Sequence, residues 1–392
     1  MYQPGQIDHY NRSRSPSRRK LMSKPFETIY MKKSLIALAA VASTGMASAQ
    51  TSDGLQPKQL AGPIPVEVFG SIDLNVRRTA GSLTSSTAIA SDGLDGSQIG
   101  VRGSKDFGNG LSGGYWLEAG YDSTTGAGQP TNTNNQSTGY TSGGLNFNRR
   151  ATVSLVGGWG ELRLGRDYST TTYSLGGFDP FYAQGVGGNQ MIYSIGGYPT
   201  SFRVSNAIEY MYNTHGWWGG KGFYGMVQHY IGGNARDSAN PDDGTGDGIR
   251  LGFAQGPFDI AMAATSTRYF TGDFTQRVLA ASWDLGAVTL KAQFSRDTLG
   301  AVDSRGYLIG AVAPVGGGMV RGDYSVYKTV GSDAGISKWA LGYMYSLNQS
   351  TVLYATYAQL SNSGGYNAAF PGSSTEANGS STGLELGFKL GF

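Results

Sequence analysis

The chain has 392 residues, no cysteine, 62 glycines and 24 tyrosines, with a mean hydropathy of −0.26 and a formal net charge of +3. Without cysteine it builds no disulfide framework and does no thiolate chemistry, and this much glycine and aromatic residue suits turned β structure better than a helical or α/β domain. The basic excess is local: residues 1–49 hold eight Lys/Arg and two acids, leaving 22 bases and 25 acids, a net charge of −3, in the remainder. Charge therefore gives nucleic-acid binding no support.

In chain order, residues 1–30 carry a basic run, RSRSPSRRK from Arg12 to Lys20. A nucleic-acid arm is one reading; an upstream extension lost from the mature protein is the favoured one. Met31 to Ala49 reads as a secretory signal peptide, with Lys32 and Lys33 ahead of a short apolar run and Ala47-Ser48-Ala49 as the cleavage site. The apolar run is too short to span a bilayer as a helix. Residues 50–65 are polar and punctuated by proline, an N-terminal periplasmic arm and not a strand.

From Val66 onward the text alternates with period two. Val68, Gly70, Ile72, Leu74 and Val76 interleave with Phe69, Ser71, Asp73, Asn75 and Arg77, and similar segments of about ten residues recur to the end. The connections are of two kinds that tend to take turns. Short ones include Phe107 to Gly110, Gly157 to Gly160 and Leu347 to Ser350; long ones include Ser82 to Gly96, Thr124 to Gly144, Ser169 to Ser201 and Ser361 to Ser381. Tight turns on one side and long polar loops on the other are the pattern of a transmembrane antiparallel β-barrel, here of about 16 strands. The last segment, Thr382 to Phe392, alternates Leu384, Leu386, Phe388, Leu390 and Phe392 with Glu385, Gly387, Lys389 and Gly391, and stops on the aromatic. Such a strand, with lipid outside and water inside, suits the closing edge of an outer-membrane barrel.

Several stretches together resemble the trimeric general-diffusion porins of Gram-negative bacteria, nearest to the β-proteobacterial type. They are Val68 to Asp73 (VFGSID), Gly100 to Gly108 (GVRGSKDFG), Leu117 to Asp122 (LEAGYD), Asn146 to Leu155 (NFNRRATVSL), Gly160 to Tyr168 (GELRLGRDY) and Arg203 to Tyr210 (RVSNAIEY), with the C-terminal strand. The resemblance implies an all-β barrel over 66–392 whose third external loop, 169–201, folds inward to narrow a water-filled channel for small hydrophilic solutes and anions. It implies a homotrimer with no cofactor, surrounded by outer-membrane lipid and lipopolysaccharide and inserted by the barrel assembly machinery. The polar loop from Thr124 to Gly144 is expected to reach over a neighbouring subunit.

The same resemblance places pore-constriction residues. Asp179 takes the place of the first acid of the inward loop, and the second falls near Ala183, which carries no charge. On the facing wall Arg149 and Arg203 match two pore arginines, the third place falls at Gln98, and Arg102 and Arg166 lie close enough to add positive potential. A weak anion preference follows. Plainer readings stand beside these: strand arginines often only solvate a face, and Asp179 before Pro180 suits a turn. By alternation Arg150 should point opposite to Arg149, toward an interface or a subunit contact. Trp217 and Trp218 suit an interfacial girdle.

Other functions leave weaker traces. The only histidines after the signal peptide are His215 and His229, without a partner pattern, and no HExxH or Walker sequence occurs. GxSxG occurs at Gly110 to Gly114 and Gly379 to Gly383, but neither leads from a strand into a helix as a nucleophile elbow requires. A substrate-specific channel is the serious alternative, since Phe178, Phe181 and Tyr182 leave room for an aromatic track; a surface adhesin would place its function in the external loops.

Overall fold

The computed structural model describes residues 64–141, 143–189, 198–215 and 219–392. The upstream extension, the leader, nearly all of the N-terminal arm, residues 190–197 of the inward loop, and Trp217 and Trp218 lie outside the described residues.

The alternating segments form antiparallel strands. The first are β1 (Glu67–Gly81), β2 (Ser85–Ser91), β3 (Gln98–Gly108) and β4 (Leu111–Gly120). A small hairpin, β5 (Thr131–Asn132) with β6 (Tyr140–Thr141), stands apart from the main sheet. Next come β7 (Arg150–Gly157) and β8 (Gly160–Tyr168), then a short helix α1 (Thr170–Gly177). The sheet resumes with β9 (Arg203–His215), β10 (Gly219–Tyr230), β11 (Gly246–Gln255), β12 (Phe258–Thr267) and β13 (Phe274–Asp284). It ends with β14 (Thr289–Leu299), β15 (Val302–Val315), β16 (Gly318–Thr329), β17 (Gly335–Ser346), β18 (Thr351–Ser363) and β19 (Ser380–Gly391).

Closure is direct. β19 pairs with β18 on one side and with β1 on the other, from Ser71↔Gly391 to Gly81↔Ser381. Gly70 and Phe392 then exchange both backbone hydrogen bonds at 2.9 and 3.0 Å, so pairing continues to the last residue. β2 and β3 share one place beside β1: residues 67–71 pair with β3 and 74–80 with β2. Counted as one, they give a closed barrel of 16 strands. The expected loop from Ser82 to Gly96 is thus partly strand. Its text, SSTAIAS, has one large apolar residue, so alternation is faint there, and its pairing with β1 decides it.

A closed sheet leaves no backbone edge to lipid. Its side chains are arranged inside-out: Leu386 is 54% exposed where Glu385 beside it is fully buried, and Ile72 and Val76 are exposed where Ser71, Asp73 and Asn75 are buried. Phe258 and Trp283, exposed and stacked at 5.1 Å, stand at the short-turn end as interfacial aromatics. At that end β3 turns into β4 through Gly108-Asn109-Gly110, all at positive φ (87°, 53° and 74°), a run that glycine and asparagine tolerate. The opposite end carries the long loops together with some short connections, of which the shortest, Gly300 and Ala301, joins β14 to β15.

The loop after β8 turns into the barrel. Ser169 caps α1, accepting from the Thr172 N–H, and the helix lies against the inner wall. Thr170 Oγ1 donates to the Ala264 carbonyl at 2.9 Å, Gln293 Nε2 to Leu175 O at 3.0 Å and Lys291 Nζ to Gly177 O at 2.9 Å. Leu175, Phe178 and Phe181 are buried between loop and wall. Farther on, Lys338 Nζ donates to Gly187 O, and the Val186 N–H donates to Glu385 Oε2 at 3.2 Å. The loop therefore follows the inside of the wall from β12 round to β19, leaving the side of β1, β7 and β9 opposite its tip.

Candidate pore constriction

At that tip a space of about 330 Å³ is bordered by Arg77, Arg149 and Arg203 on the wall and by Gln184, Gly185 and Val186 of the loop. Arg149 and Arg203 are thus brought together. Arg77 joins them, a residue the sequence had already put on the polar face of β1 through Ser71, Asp73 and Asn75, and to which no pore role was given.

The three arginines differ in their partners. Arg149 Nε donates to Glu118 Oε1 at 2.5 Å; its side chain is 11% exposed and that of Glu118 only 2%. Arg77 Nε donates to Glu385 Oε1 at 2.7 Å, with side chains 16% and 0% exposed. In both pairs the cation is nearer the water and the carboxylate is recessed. Arg203 has no carboxylate within ion-pair distance among the described residues. It stacks over the rings of Tyr168 and Phe202, each at 4.5 Å, and Nη2 donates to Tyr168 Oη at 3.1 Å. Asp92 is the one carboxylate on the border of the space, and Oδ1 already accepts from Ser91 Oγ and the Ser97 N–H.

The remaining expected residues lie elsewhere. Asp179 is fully buried and does not face Arg149 and Arg203. Its carboxylate accepts the backbone N–H groups of Phe181 (2.7 Å), Ala183 (2.9 Å) and Asn189 (2.8 Å). Burial pushes this carboxyl up from its ordinary range, while Lys338 and those three donors pull it back. The aspartate holds a left-handed turn at Tyr182 and Ala183 (φ 53° and 60°), and these contacts are those of a turn.

Arg166 is also displaced. Nε donates to Asn148 O at 2.6 Å, and Nη1 to Asn132 O and Ser205 Oγ at 2.9 and 2.7 Å, so it holds the second external loop. Other residues of that loop also bond to their own barrel. Asn135 Nδ2 donates to Ser205 O and Ile231 O, and Gln136 Nε2 to Asp243 O.

Arg102 sits at the short-turn end, paired with Glu67 and stacked over Trp116 at 4.7 Å. Gln98 opens β3 opposite Ser71 and Gly120, inside the barrel but not on the border of the space. Arg150 is a correction. It lies 3.5 Å from Asp167, donates to Thr152 Oγ1 and stacks over Trp116 at 4.6 Å, on the same inner wall as Arg149. Alternation holds only inside a ladder, and Arg149 stands one residue before β7 begins.

Comparison with known proteins decides the family. Residues 34–365 match the Gram-negative porin family. The chain belongs to that family. This porin is 31% identical to outer membrane porin protein 32 of Delftia acidovorans over 386 residues, covering 92% of this chain and 100% of that protein. It is 26% identical to an outer membrane porin protein of Bordetella pertussis, covering 83% and 93% of the two chains. Among solved structures, the anion-selective porin from Comamonas acidovorans superposes with a TM-score of 0.72 at 27% identity, over 84% of this chain and 100% of that one. The protein is an outer-membrane porin, a water-filled barrel for passive diffusion of small hydrophilic solutes.

Proposed function

We propose that this porin is a general-diffusion channel with a weak preference for anions, set by Arg77, Arg149 and Arg203 where the inward loop narrows the passage. One observation carries the reading: three guanidinium groups border one space while Glu118 and Glu385 stand behind two of them. A permeating ion meets the positive end of each pair first, and low-dielectric walls focus that field across the narrow point. Pairing of two arginines out of three keeps the preference weak. The Comamonas protein is described as anion-selective, which favours the same sign here.

A substrate-specific channel is less well supported. Phe178 and Phe181, which could have formed an aromatic track, are buried between loop and wall, and only Tyr182 is exposed. The reading calls for no catalytic step, and Ser112 of the first GxSxG lies within β4 and Ser381 of the second within β19, not at a strand-to-helix turn. In planar bilayers, conductance should rise linearly with salt and the reversal potential should lie on the anion side. Saturation by one solute, or a cation-side potential, refutes the reading.

The working form is proposed to be a homotrimer embedded in outer-membrane lipid and lipopolysaccharide, inserted by the barrel assembly machinery acting on β19 and Phe392. An unheated detergent sample migrating as a monomer would count against the trimer. Truncation of Phe392 without loss of insertion would count against the assembly signal.

A further inference from the structure

Four cations stand side by side on the outside of the barrel. The strand registers pair Arg277 with Arg296, Arg296 with Arg305, and Arg305 with Lys328, across β13, β14, β15 and β16. All four are exposed. Neighbouring strands are about 4.8 Å apart, so the row spans about 14 Å across the sheet. It is bounded by Ala264 on one side and Gly335 on the other.

Like charges directly opposite one another destabilise a sheet, and charge on the outer face of a barrel is tolerated only near an interface. The row meets the second condition, since each residue stands within a few positions of the long-loop end of its strand. It does not relieve the first. Asp303 engages Arg296 through two contacts of 3.0 and 2.7 Å. Among the described residues, no ion pair engages Arg277, Arg305 or Lys328.

Immediately toward the membrane, on the same face, Leu279, Phe294 and Tyr307 form an exposed apolar row in the same registers. Cations over apolar residues match a lipid with phosphate above and acyl chains below. Arginine suits phosphate because its planar fork donates two parallel hydrogen bonds.

We propose that Arg277, Arg296, Arg305 and Lys328 form a binding site for the phosphorylated disaccharide headgroup of lipopolysaccharide, with its acyl chains on Leu279, Phe294 and Tyr307. The site rests on the outer-leaflet lipid partner proposed above and names the surface that holds it. The long-loop end places the row at the leaflet where that glycolipid resides. A row about 14 Å long matches a headgroup phosphorylated at both ends of a disaccharide better than a single phospholipid phosphate.

The test uses the full porin, refolded free of lipopolysaccharide, and the quadruple variant R277Q/R296Q/R305Q/K328Q, with binding read by native mass spectrometry in the presence of EDTA. The wild type should hold bis-phosphorylated lipid A, and the variant should bind it at least about tenfold more weakly. The triple variant R277K/R296K/R305K should fall between them. Fully dephosphorylated lipid A should bind both proteins equally weakly. Equal binding of bis-phosphorylated lipid A by wild type and quadruple variant overturns the site, as does equal binding of phosphatidylglycerol and lipid A by the wild type. Loss of the unheated oligomer in the quadruple variant would make the row a subunit contact and also overturn it. The reversal potential should not move in any of these variants, because the row lies outside the passage. A shift would place these cations in the channel and refute the assignment, whereas a wild-type potential on the cation side would refute the anion reading and leave lipid binding intact.

Discussion

Arg203→Gln isolates the field at the constriction, because Arg203 is the bordering arginine that enters no ion pair among the described residues. Glutamine keeps a polar side chain and removes one positive charge. A sphere of about 330 Å³ has a radius of about 4 Å. With contact distance added, an ion at its centre lies about 7 Å from the guanidinium, where a unit charge in water acts with about 0.6 kcal/mol, close to RT. Anion entry loses this term and cation entry gains it, so without screening the permeability ratio changes by about sevenfold. Screening reduces the change to about fivefold at 10 mM salt and about twofold at 0.15 M. Reversal potentials in a salt gradient, measured at both ionic strengths, check the magnitude and its salt dependence together. Arg149→Gln should move the potential in the same direction, but it also leaves Glu118 without its guanidinium partner, so barrel heat resistance should fall as well. If Arg203→Gln leaves the reversal potential unchanged at 10 mM, the arginine is not at the narrow point and the assignment fails.

Two further outcomes follow from the same contacts. Glu385→Gln removes the carboxylate behind Arg77 while keeping an oxygen for the Val186 N–H, so anion preference should increase, by up to about twofold at 0.15 M; a shift toward cations would show that Arg77 does not face the passage. Asp179→Asn offers one acceptor oxygen to three backbone N–H groups and should destabilise the loop by about 1–3 kcal/mol. Open-channel current should then become noisier and conductance should change, with little movement of the reversal potential; a clear selectivity shift at unchanged conductance would mean the carboxylate faces the passage after all.

Much of this was legible because membrane barrels write their two environments into every second residue. Alternation in Glu67–Gly81 and Ser380–Gly391 identified both closing strands, and glycine and asparagine marked the tight turns. What escaped reading depends on partners distant in sequence. Ser85–Ser91 has too few large side chains to show a period, and only the β1 ladder reveals it as a strand. Arg150 was expected on the far face because alternation was carried one residue beyond the ladder. Asp179 matched a charge position by its place in the loop, yet its carboxylate accepts from the N–H groups of Phe181, Ala183 and Asn189, contacts that only the folded loop reveals. Arg77 was visible on the polar face from the start; its position opposite the loop tip was not, because that contact joins residues more than a hundred positions apart.

The C-terminal strand therefore does two jobs through one period. Its outward residues, Leu384, Leu386 and Phe388, complete the lipid-facing surface, while Glu385 on the inner face accepts from both Arg77 and Val186. Those two partners belong to the first strand of the barrel and to the tip of the inward loop. The Arg77 contact crosses the closing β1–β19 seam, and the acceptor lies 308 residues from Arg77 and 199 from Val186. Loop-closure entropy over such separations is offset only when the many hydrogen bonds of the β1–β19 ladder form together. The narrow passage is in this sense a consequence of closure: an open barrel has a wall and a loop, but nothing yet fixes the distance between the loop tip and the arginines opposite it.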